Sequence, residues 1–292
     1  MTLLLIVVGA LVTSNDAGLS VPDWPTSFGS LYKIPPLVNG VQYEHGHRMF
    51  AEFVGLLIIA LAVWTQRVEQ RRWMKALGWI ALGAVIGQGI LGGLTVLFGL
   101  PWYISTAHAT LAQTIFCAVV SMALFTSKSW LQDVEPMSES GLKLGTPTLA
   151  AWAAACVWVQ LILGAAFRHV GIRLLPHLIG AGVVTLLLGW TIARILNRYM
   201  QVTHVARPAL LLLALLVVQL GLGLGSYITR LIWSQHPVFH PFWLVALTVT
   251  HVAGGAIVLA TTVVLAIQSR RMIHIGRQKR VLTSPSRKAV AA

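Results

Sequence analysis

Residues 208–229 read PALLLLALLVVQLGLGLGSYIT and contain no charged side chain. A helix needs roughly 20 mostly apolar residues to cross the hydrocarbon core of a bilayer. Six further runs meet this condition, at 46–68, 76–99, 103–126, 148–167, 174–193 and 242–267. Hydrophobic residues make up 57% of the 292 positions and charged residues only 10%, a balance that excludes an ordinary water-soluble domain. The sequence therefore predicts an all-α integral membrane protein in the lipid bilayer.

An eighth apolar run, Thr2 to Thr13, is short for a complete crossing. A cleavable signal peptide is a weaker interpretation, because no basic segment precedes the run and no clear cleavage site lies before Asn15. The charge distribution favours a real span. When the loops are assigned alternately to the two sides, sixteen of the 21 Lys and Arg residues fall on one side, which is then cytoplasmic. Eight crossings with both termini cytoplasmic, in the cell inner (plasma) membrane, satisfy this distribution.

The basic residues lie between the predicted helices rather than on a soluble domain. The net charge of +13 therefore indicates membrane topology and not a nucleic-acid partner. The basic residues on the outer side are Lys33, Arg48, Arg168, Arg173 and Arg230.

A polar linker is predicted to divide the eight spans into two groups of four. The third, fifth and seventh spans share a weak repeat, a Gln followed four residues later by a Gly, which begins at Gln88, Gln160 and Gln219. Because each half has an even number of spans, the repeat is parallel. The predicted architecture is two pseudo-symmetric four-helix bundles. Its divisions are an N-terminal half at 1–127, a cytoplasmic linker at 128–146, a C-terminal half at 147–269 and a basic cytoplasmic tail at 270–292.

Four of the ten histidines recur near the start of each even-numbered span: His47, His108, His177 and His251. A lone histidine in a span is usually a polar contact, but four at matching depth favour a function. Two per half match the two axial positions of a haem iron better than zinc, which needs three or four convergent ligands. A small residue follows each histidine at the third or fourth position, which favours a flat face for a porphyrin. Another metal and plain polar contacts remain as alternatives.

The other histidines are not predicted to bind this iron. His45 points away from His47 around the helix, and the rest are predicted to be solvated or interfacial. These are His169, His204, His236, His240 and His274.

The segment Glu44-His45-Gly46-His47-Arg48 is the densest polar cluster at a span boundary. Glu44 can share a helix face with His47 and Arg48. Two interpretations carry equal weight at this point. Glu44 could simply pair with Arg48 at the interface, or it could be a carboxylate placed for proton chemistry beside a metal ligand.

Taken together, several strings resemble the haem A synthase family over essentially the whole chain. They are Gly9-Ala10-Leu11-Val12-Thr13, Pro22-Asp23-Trp24-Pro25, the Glu44 to Arg48 segment, His108 with Leu111-Ala112-Gln113, and the histidines His177 and His251. The family converts the C8 methyl of haem O into the formyl group of haem A for cytochrome oxidase. One difference is that the first outer loop lacks the cysteine pair found in many bacterial members, so a disulfide role for that loop is not expected.

The resemblance implies roles for the histidine pairs. His177 and His251 would hold a resident haem b that relays electrons, while His47 and His108 would face the substrate, haem O, with Glu44 as the catalytic carboxylate. It also implies haem O synthase and cytochrome oxidase assembly factors as partners, and we expect a homo-oligomer. The alternative is a dihaem cytochrome b-type electron carrier in a quinone pathway, with all four histidines as permanent ligands.

Overall fold

The structure is a computed structural model that describes residues 1–31, 33–131, 137, 139, 144–233 and 242–283, with side chains as far as Ile275 in the last range. Within these ranges the chain forms helices and no strand. In chain order they are α1 (Thr2–Ser14), α2 (Val41–Val68), α3 (Arg72–Leu97), α4 (Trp102–Thr126), α5 (Lys128–Leu131), α6 (Thr146–Arg168), α7 (Leu174–Arg198), α8 (Thr203–Trp233) and α9 (Phe242–Thr283).

Seven of the described helices, all except α1 and α5, are long and apolar enough to cross a membrane. The prediction of an all-α, multi-pass membrane protein is confirmed. With 13 residues, α1 is short for a crossing. The eighth span therefore stays a prediction, although α1 packs against α2, α4 and α9 as an element of the fold.

Several helices extend beyond the spans expected from hydropathy, among them α2, α7, α8 and α9. The helix α8 begins at Thr203 and continues through Pro208, and α9 continues to Thr283, so the first part of the predicted basic tail is helical. The reason is that hydropathy marks the edge of the lipid, whereas a helix ends where backbone hydrogen bonding ends. Arg270 and Arg271 are charged but are good helix formers.

The helix contacts fall into two sets. In the first, α1, α2, α3 and α4 each contact the next helix and α4 returns to α1; in the second, α6, α7, α8 and α9 repeat this order and α9 returns to α6. Among the described residues, the diagonal pairs within each set make no such contact. The sets meet where α9 contacts α1 and α4, and where α6 contacts α4.

The larger apolar core lies in the second set. Leu188, Leu212 and Leu265 are fully buried there, whereas Trp64 and Leu186 are examples of large apolar side chains that remain exposed on the outside. In water such a surface would be costly. It is the expected surface for a protein surrounded by lipid.

The segment between α1 and α2 packs at one end of the first set. Its residues Ala17 and Val21 are buried. Gly40 ends the segment with a φ of +91°, a conformation that favours glycine, and a Cβ there would overlap the Ser20 hydroxyl. The loop is therefore part of the packed structure. Two other predicted loop regions, the linker around Asp133 and Glu135 and the outer loop with His236 and His240, lie outside the described residues.

Candidate functional site

The four predicted histidines lie near the N-terminal ends of four helices, two in each set. His47 is on α2, His108 on α4, His177 on α7 and His251 on α9. All four side chains are half-buried. Each is therefore shielded by the protein while keeping access to space beside the helix.

Every one of these imidazoles rests on a glycine of an earlier helix of the same set. A Cβ atom placed on that glycine would lie about 3 Å from Cε1 of the ring, closer than a side chain is normally tolerated. The distances are 3.0 Å for Gly9 and His47, 3.1 Å for Gly92 and His108, 2.9 Å for Gly164 and His177, and 3.0 Å for Gly223 and His251. The absence of a side chain thus lets each ring lie against helix backbone.

Three of the histidines are also held by the glutamine one turn before that glycine. The amide Nε2 donates to the backbone carbonyl of the histidine, and the distances are 3.0 Å from Gln88 to His108, 2.8 Å from Gln160 to His177 and 2.9 Å from Gln219 to His251. The repeat of Gln and Gly seen in the sequence is therefore a seat for a histidine of the next helix. His47 lacks this partner, because Leu5 stands four residues before Gly9.

Two of the small residues that follow the histidines, Gly180 and Gly254, lie against glutamine side chains. A Cβ on Gly180 would overlap Oε1 of Gln160, and a Cβ on Gly254 would overlap Oε1 of Gln219. The sequence predicted a flat face for a porphyrin at these positions of the helix. In the structure the space beside these two glycines is filled by the glutamine side chains, because the helices approach closely there.

The imidazoles of His177 and His251 face each other across the second set. Their ring centres are 6.4 Å apart and their planes differ by 87°. Two imidazoles bound to opposite sides of one metal through bonds of ~2 Å have ring centres roughly 6 Å apart. The spacing thus fits a single iron with both axial positions filled from this pair. Nδ1 of His251 is buried without a hydrogen-bond partner in the described part of the chain.

In the first set, Nδ1 of His108 lies 3.2 Å from the backbone carbonyl of Gln88, and Nε2 lies 3.4 Å from the side-chain amide of Gln88. If Nδ1 carries the proton, Nε2 is the nitrogen that could bind a metal, and it would then give up its contact with the amide. Nδ1 of His47 is buried without a partner among the described residues. Those residues contain no group of three or more His, Cys, Asp or Glu side chains that could hold a metal ion. Paired ligands are the arrangement that the histidines offer.

Glu44 is buried and forms the ion pair with Arg48 that the sequence allowed. Arg48 Nη2 donates to Glu44 Oε1 at 2.6 Å, and the backbone N–H of Val21 donates to Oε2 at 2.7 Å. Both carboxylate oxygens are therefore occupied. Arg48 in turn donates to the carbonyls of Val21, Asp23 and Thr26. The ion pair of Glu44 and Arg48 therefore connects the loop before α2 to that helix.

Asp23 organises the turn of that loop. Its carboxylate accepts hydrogen bonds from the Thr26 hydroxyl and from the backbone N–H groups of Phe28 and Gly29. Desolvation alone would raise the pKa of Asp23, but these hydrogen bonds outweigh it and lower the pKa to about 2.

Trp24 packs on α3, where a Cβ on Gly93 would overlap its indole ring. Its contact with protein adds to the interfacial anchoring expected from the sequence. His45 also belongs to the loop contacts, because its Nδ1 lies 3.1 Å from the Ser27 hydroxyl.

The sequence interpretation missed the four glycine seats and the position of Arg168. Arg168 Nη2 donates to the carbonyl of Ala10 at 2.8 Å and to the Ser14 hydroxyl at 2.7 Å, which connects α6 to α1. Beside it, burial and the charge of Arg168, with a smaller effect of His108, lower the pKa of His169 to about 4. The available signal for the seats was the recurrence of Gly four residues after Gln in three spans.

Comparison with known proteins gives a family match and several similar haem A synthases. Residues 40–175 match the COX15-CtaA family, described as a cytochrome oxidase assembly protein. The haem A synthase of Lysinibacillus sphaericus is 35% identical over 125 residues, which cover 42% of this chain and 40% of the relative. That of Alkalihalophilus pseudofirmus is 32% identical over 124 residues, covering 42% and 41%. The haem A synthase of Symbiobacterium thermophilum is 28% identical over 251 residues, covering 76% and 80%.

The matched part spans about two fifths of the length of the first two relatives. No solved structure matches the chain. The family match includes Glu44, His47 and His108 and ends just before His177. Residues 40–175 are therefore similar to the COX15-CtaA family of cytochrome oxidase assembly proteins, the resemblance that the Glu-x-x-His-Arg motif and His108 predict.

Proposed function

We propose that the chain is a haem A synthase, an oxidoreductase that converts the C8 methyl of haem O into the formyl group of haem A for cytochrome oxidase. The observation that carries the proposal is the repeated seat, in which paired histidines rest on glycines in both sets of helices. The similarity of residues 40–175 to the COX15-CtaA family and of part of the chain to haem A synthases suggests the reaction. Haem O is then the substrate, with haem O synthase as the supplier and cytochrome oxidase assembly factors as recipients.

The proposed architecture is eight transmembrane helices in two pseudo-symmetric four-helix bundles, with α1 counted as the first. The closed order of contacts within each set supports it. The proposed orientation has both termini in the cytoplasm and all four histidines toward the outer side, because sixteen of the 21 basic residues then lie inside.

The orientation can be tested with reporter fusions. A reporter that is active only in the cytoplasm should work when fused after residue 292 and should fail when inserted near Pro36, because the basic loops stay inside. The measurement is reporter activity normalised to protein amount. The reverse pattern would place the histidines on the cytoplasmic side.

In the second bundle, His177 and His251 are proposed to hold a resident haem b. A haem held by two imidazoles accepts and donates single electrons. The oxidation of a methyl group releases electrons, so a second redox group in the same chain gives them a route. The support is geometric: the pair has the spacing that one iron requires, and both histidines are fixed by a glutamine and a glycine.

In the first bundle, His47 and His108 are proposed to face the substrate, with Glu44 as the catalytic carboxylate. This pair is held less firmly, because α1 carries Leu5 where the other helices carry a glutamine. A site that must release its product benefits from weaker constraints on one ligand. Glu44 lies one turn before His47, with its charge fixed by Arg48 and the Val21 amide.

The glycine seat can be tested separately from the reaction. In Gly164→Ala the added methyl would lie 2.9 Å from Cε1 of His177, so the ring must move. We expect roughly tenfold weaker retention of haem b, from the usual cost of overpacking. The variant should still insert, because alanine favours a helix more than glycine does. The measurement is haem b per protein after purification.

Gly182→Ala is the matched control, because nothing lies within 4 Å of a Cβ at that position of α7. It should retain haem b like the wild type. Equal retention in Gly164→Ala and Gly182→Ala would show that the seat does not hold the ligand.

The role of Glu44 can be tested with Glu44→Gln, which keeps the size of the side chain and removes its charge. If the charge assists oxidation of the methyl, the variant should keep haem b and accumulate haem O or a hydroxylated intermediate, with a rate lower by ~10²–10⁴. The measurement is the extracted haem composition over time. Conversion at the wild-type rate would leave Glu44 only its structural pairing with Arg48.

A loosened outer loop could also slow conversion in Glu44→Gln, since Glu44 accepts the Val21 amide. Asp23→Asn is the control, because it weakens the same loop at a position with no proposed part in the reaction. We expect conversion in Asp23→Asn to stay within severalfold of the wild type. A loss as large as that of Glu44→Gln would assign the effect to the loop.

The competing function is a dihaem cytochrome b-type electron carrier, which the similarity of the four glycine seats would favour. The pigments of the purified protein distinguish the two functions. A synthase should contain haem b together with haem O, a hydroxylated haem or haem A. A carrier should contain two equivalents of haem b alone, and that result would overturn the proposed enzyme.

A further inference from the structure

Two arginines lie at the outer end of the second set of helices. The guanidinium carbon of Arg230 on α8 lies 5.7 Å from the centre of the Phe167 ring. That ring stacks on the imidazole of His177, with centres 6.4 Å apart and planes 9° apart. Arg168 follows Phe167 in the chain and lies one turn after Gly164, the glycine on which His177 rests. Both positive charges are therefore close to the histidine pair.

These two charges lack an ionic partner in their own half of the chain. All eight acidic residues of the protein lie at or before Glu139, so residues 140–292 contain no Asp or Glu at all. Arg168 uses Nη2 for the neutral acceptors Ala10 and Ser14 and interacts electrostatically with Asp16 of the first half. For Arg230, none of the described carboxylates lies within ion-pair distance.

Arg168 and Arg230 also lie close enough to repel each other. Two like charges at the edge of a low-dielectric region are costly unless an anion compensates them. Since residues 140–292 provide no carboxylate, the compensating anion must come from the first half or from a ligand.

The first set of helices lacks this feature, although it has the same histidine seats. Arg168 stands four residues after Gly164, and the matching position after Gly9 is Thr13. Arg230 stands seven residues after Gly223, and the matching position after Gly92 is Gly99. The first pair does have an arginine beside it, Arg48, but that arginine is paired with Glu44. The second histidine pair therefore differs in having arginines without a carboxylate from its own half.

We propose that Arg168 and Arg230 form a carboxylate-binding site for a propionate side chain of the porphyrin held by His177 and His251. The proposal rests on the proposed haem site. A haem b presents an apolar ring and carboxylate side chains, so it needs apolar surroundings and cations together. A guanidinium binds a carboxylate with two parallel hydrogen bonds, which makes arginine suited to this task.

The experiment compares two porphyrins on full-length protein produced in haem-depleted cells. One is haem b, and the other is its dimethyl ester, in which both propionates are neutral. Binding is measured by titration, from the absorbance of the iron with two imidazole ligands. We expect the wild type to bind the ester roughly 10- to 100-fold more weakly than haem b, the usual effect of losing a hydrogen bond to a charged group.

Arg230→Gln should weaken the binding of haem b by a similar factor and should reduce the difference between haem b and its ester. Arg168→Gln should do the same, and Arg168→Lys should recover part of the affinity because it keeps the charge. Arg194→Gln is the matched control. Arg194 also donates to a carbonyl, that of Leu144, and lies over an aromatic ring, but at the opposite end of the same set. Its binding of haem b should stay unchanged.

The outcomes separate this proposal from the haem site itself. If Arg230→Gln and Arg168→Gln bound haem b as tightly as the wild type, or if esterification weakened all proteins equally, the carboxylate site would be wrong while the haem site stood. If the wild type gave no spectrum of an iron with two imidazoles, the assignment of His177 and His251 would be wrong, and the carboxylate site would fail with it.

Discussion

The contact between an imidazole and a glycine on the preceding helix is the constraint on which both candidate sites depend. A ring can lie against helix backbone only where no side chain intervenes, so each histidine requires one particular glycine. In lipid there is little hydrophobic drive for helices to associate, and close packing of backbones takes over that function. The same four contacts that bring neighbouring helices together thus also determine where the nitrogen atoms of the histidines lie.

A second constraint acts in the loop before α2, whose backbone carbonyls need hydrogen-bond donors. Arg48 donates to three of them, and Glu44 keeps Arg48 in place. This arrangement limits the chemistry available to Glu44. An electrostatic role is compatible with two donors on its oxygens, whereas accepting a proton requires that one of those hydrogen bonds break. If Glu44 takes the proposed part in the reaction, the loop and the chemistry would be coupled through a single carboxylate.

The sequence was sufficient for the helical membrane fold, because hydropathy is a local signal. The recurrence of His at matching depth is also a local signal, and the choice of the four histidines as ligands stays a prediction. The sequence also contained the repeat of Gln and Gly. It could not assign that repeat to the histidines, because the glycine and its histidine are 13 residues apart for Gly164 and His177 but 38 apart for Gly9 and His47. Contacts between helices depend on their relative rotation, which no single segment encodes.

The two sets of helices share one design and differ in how firmly it is fixed. In the second set both histidines have a glutamine, and two arginines lie nearby without an acidic residue in residues 140–292. In the first set His47 has no glutamine, and the arginine that follows it, Arg48, is paired with Glu44. A resident cofactor gains from every added contact, whereas an enzyme that binds substrate too tightly gains nothing in turnover. Under the proposed function, this difference would correspond to one permanent and one exchangeable haem.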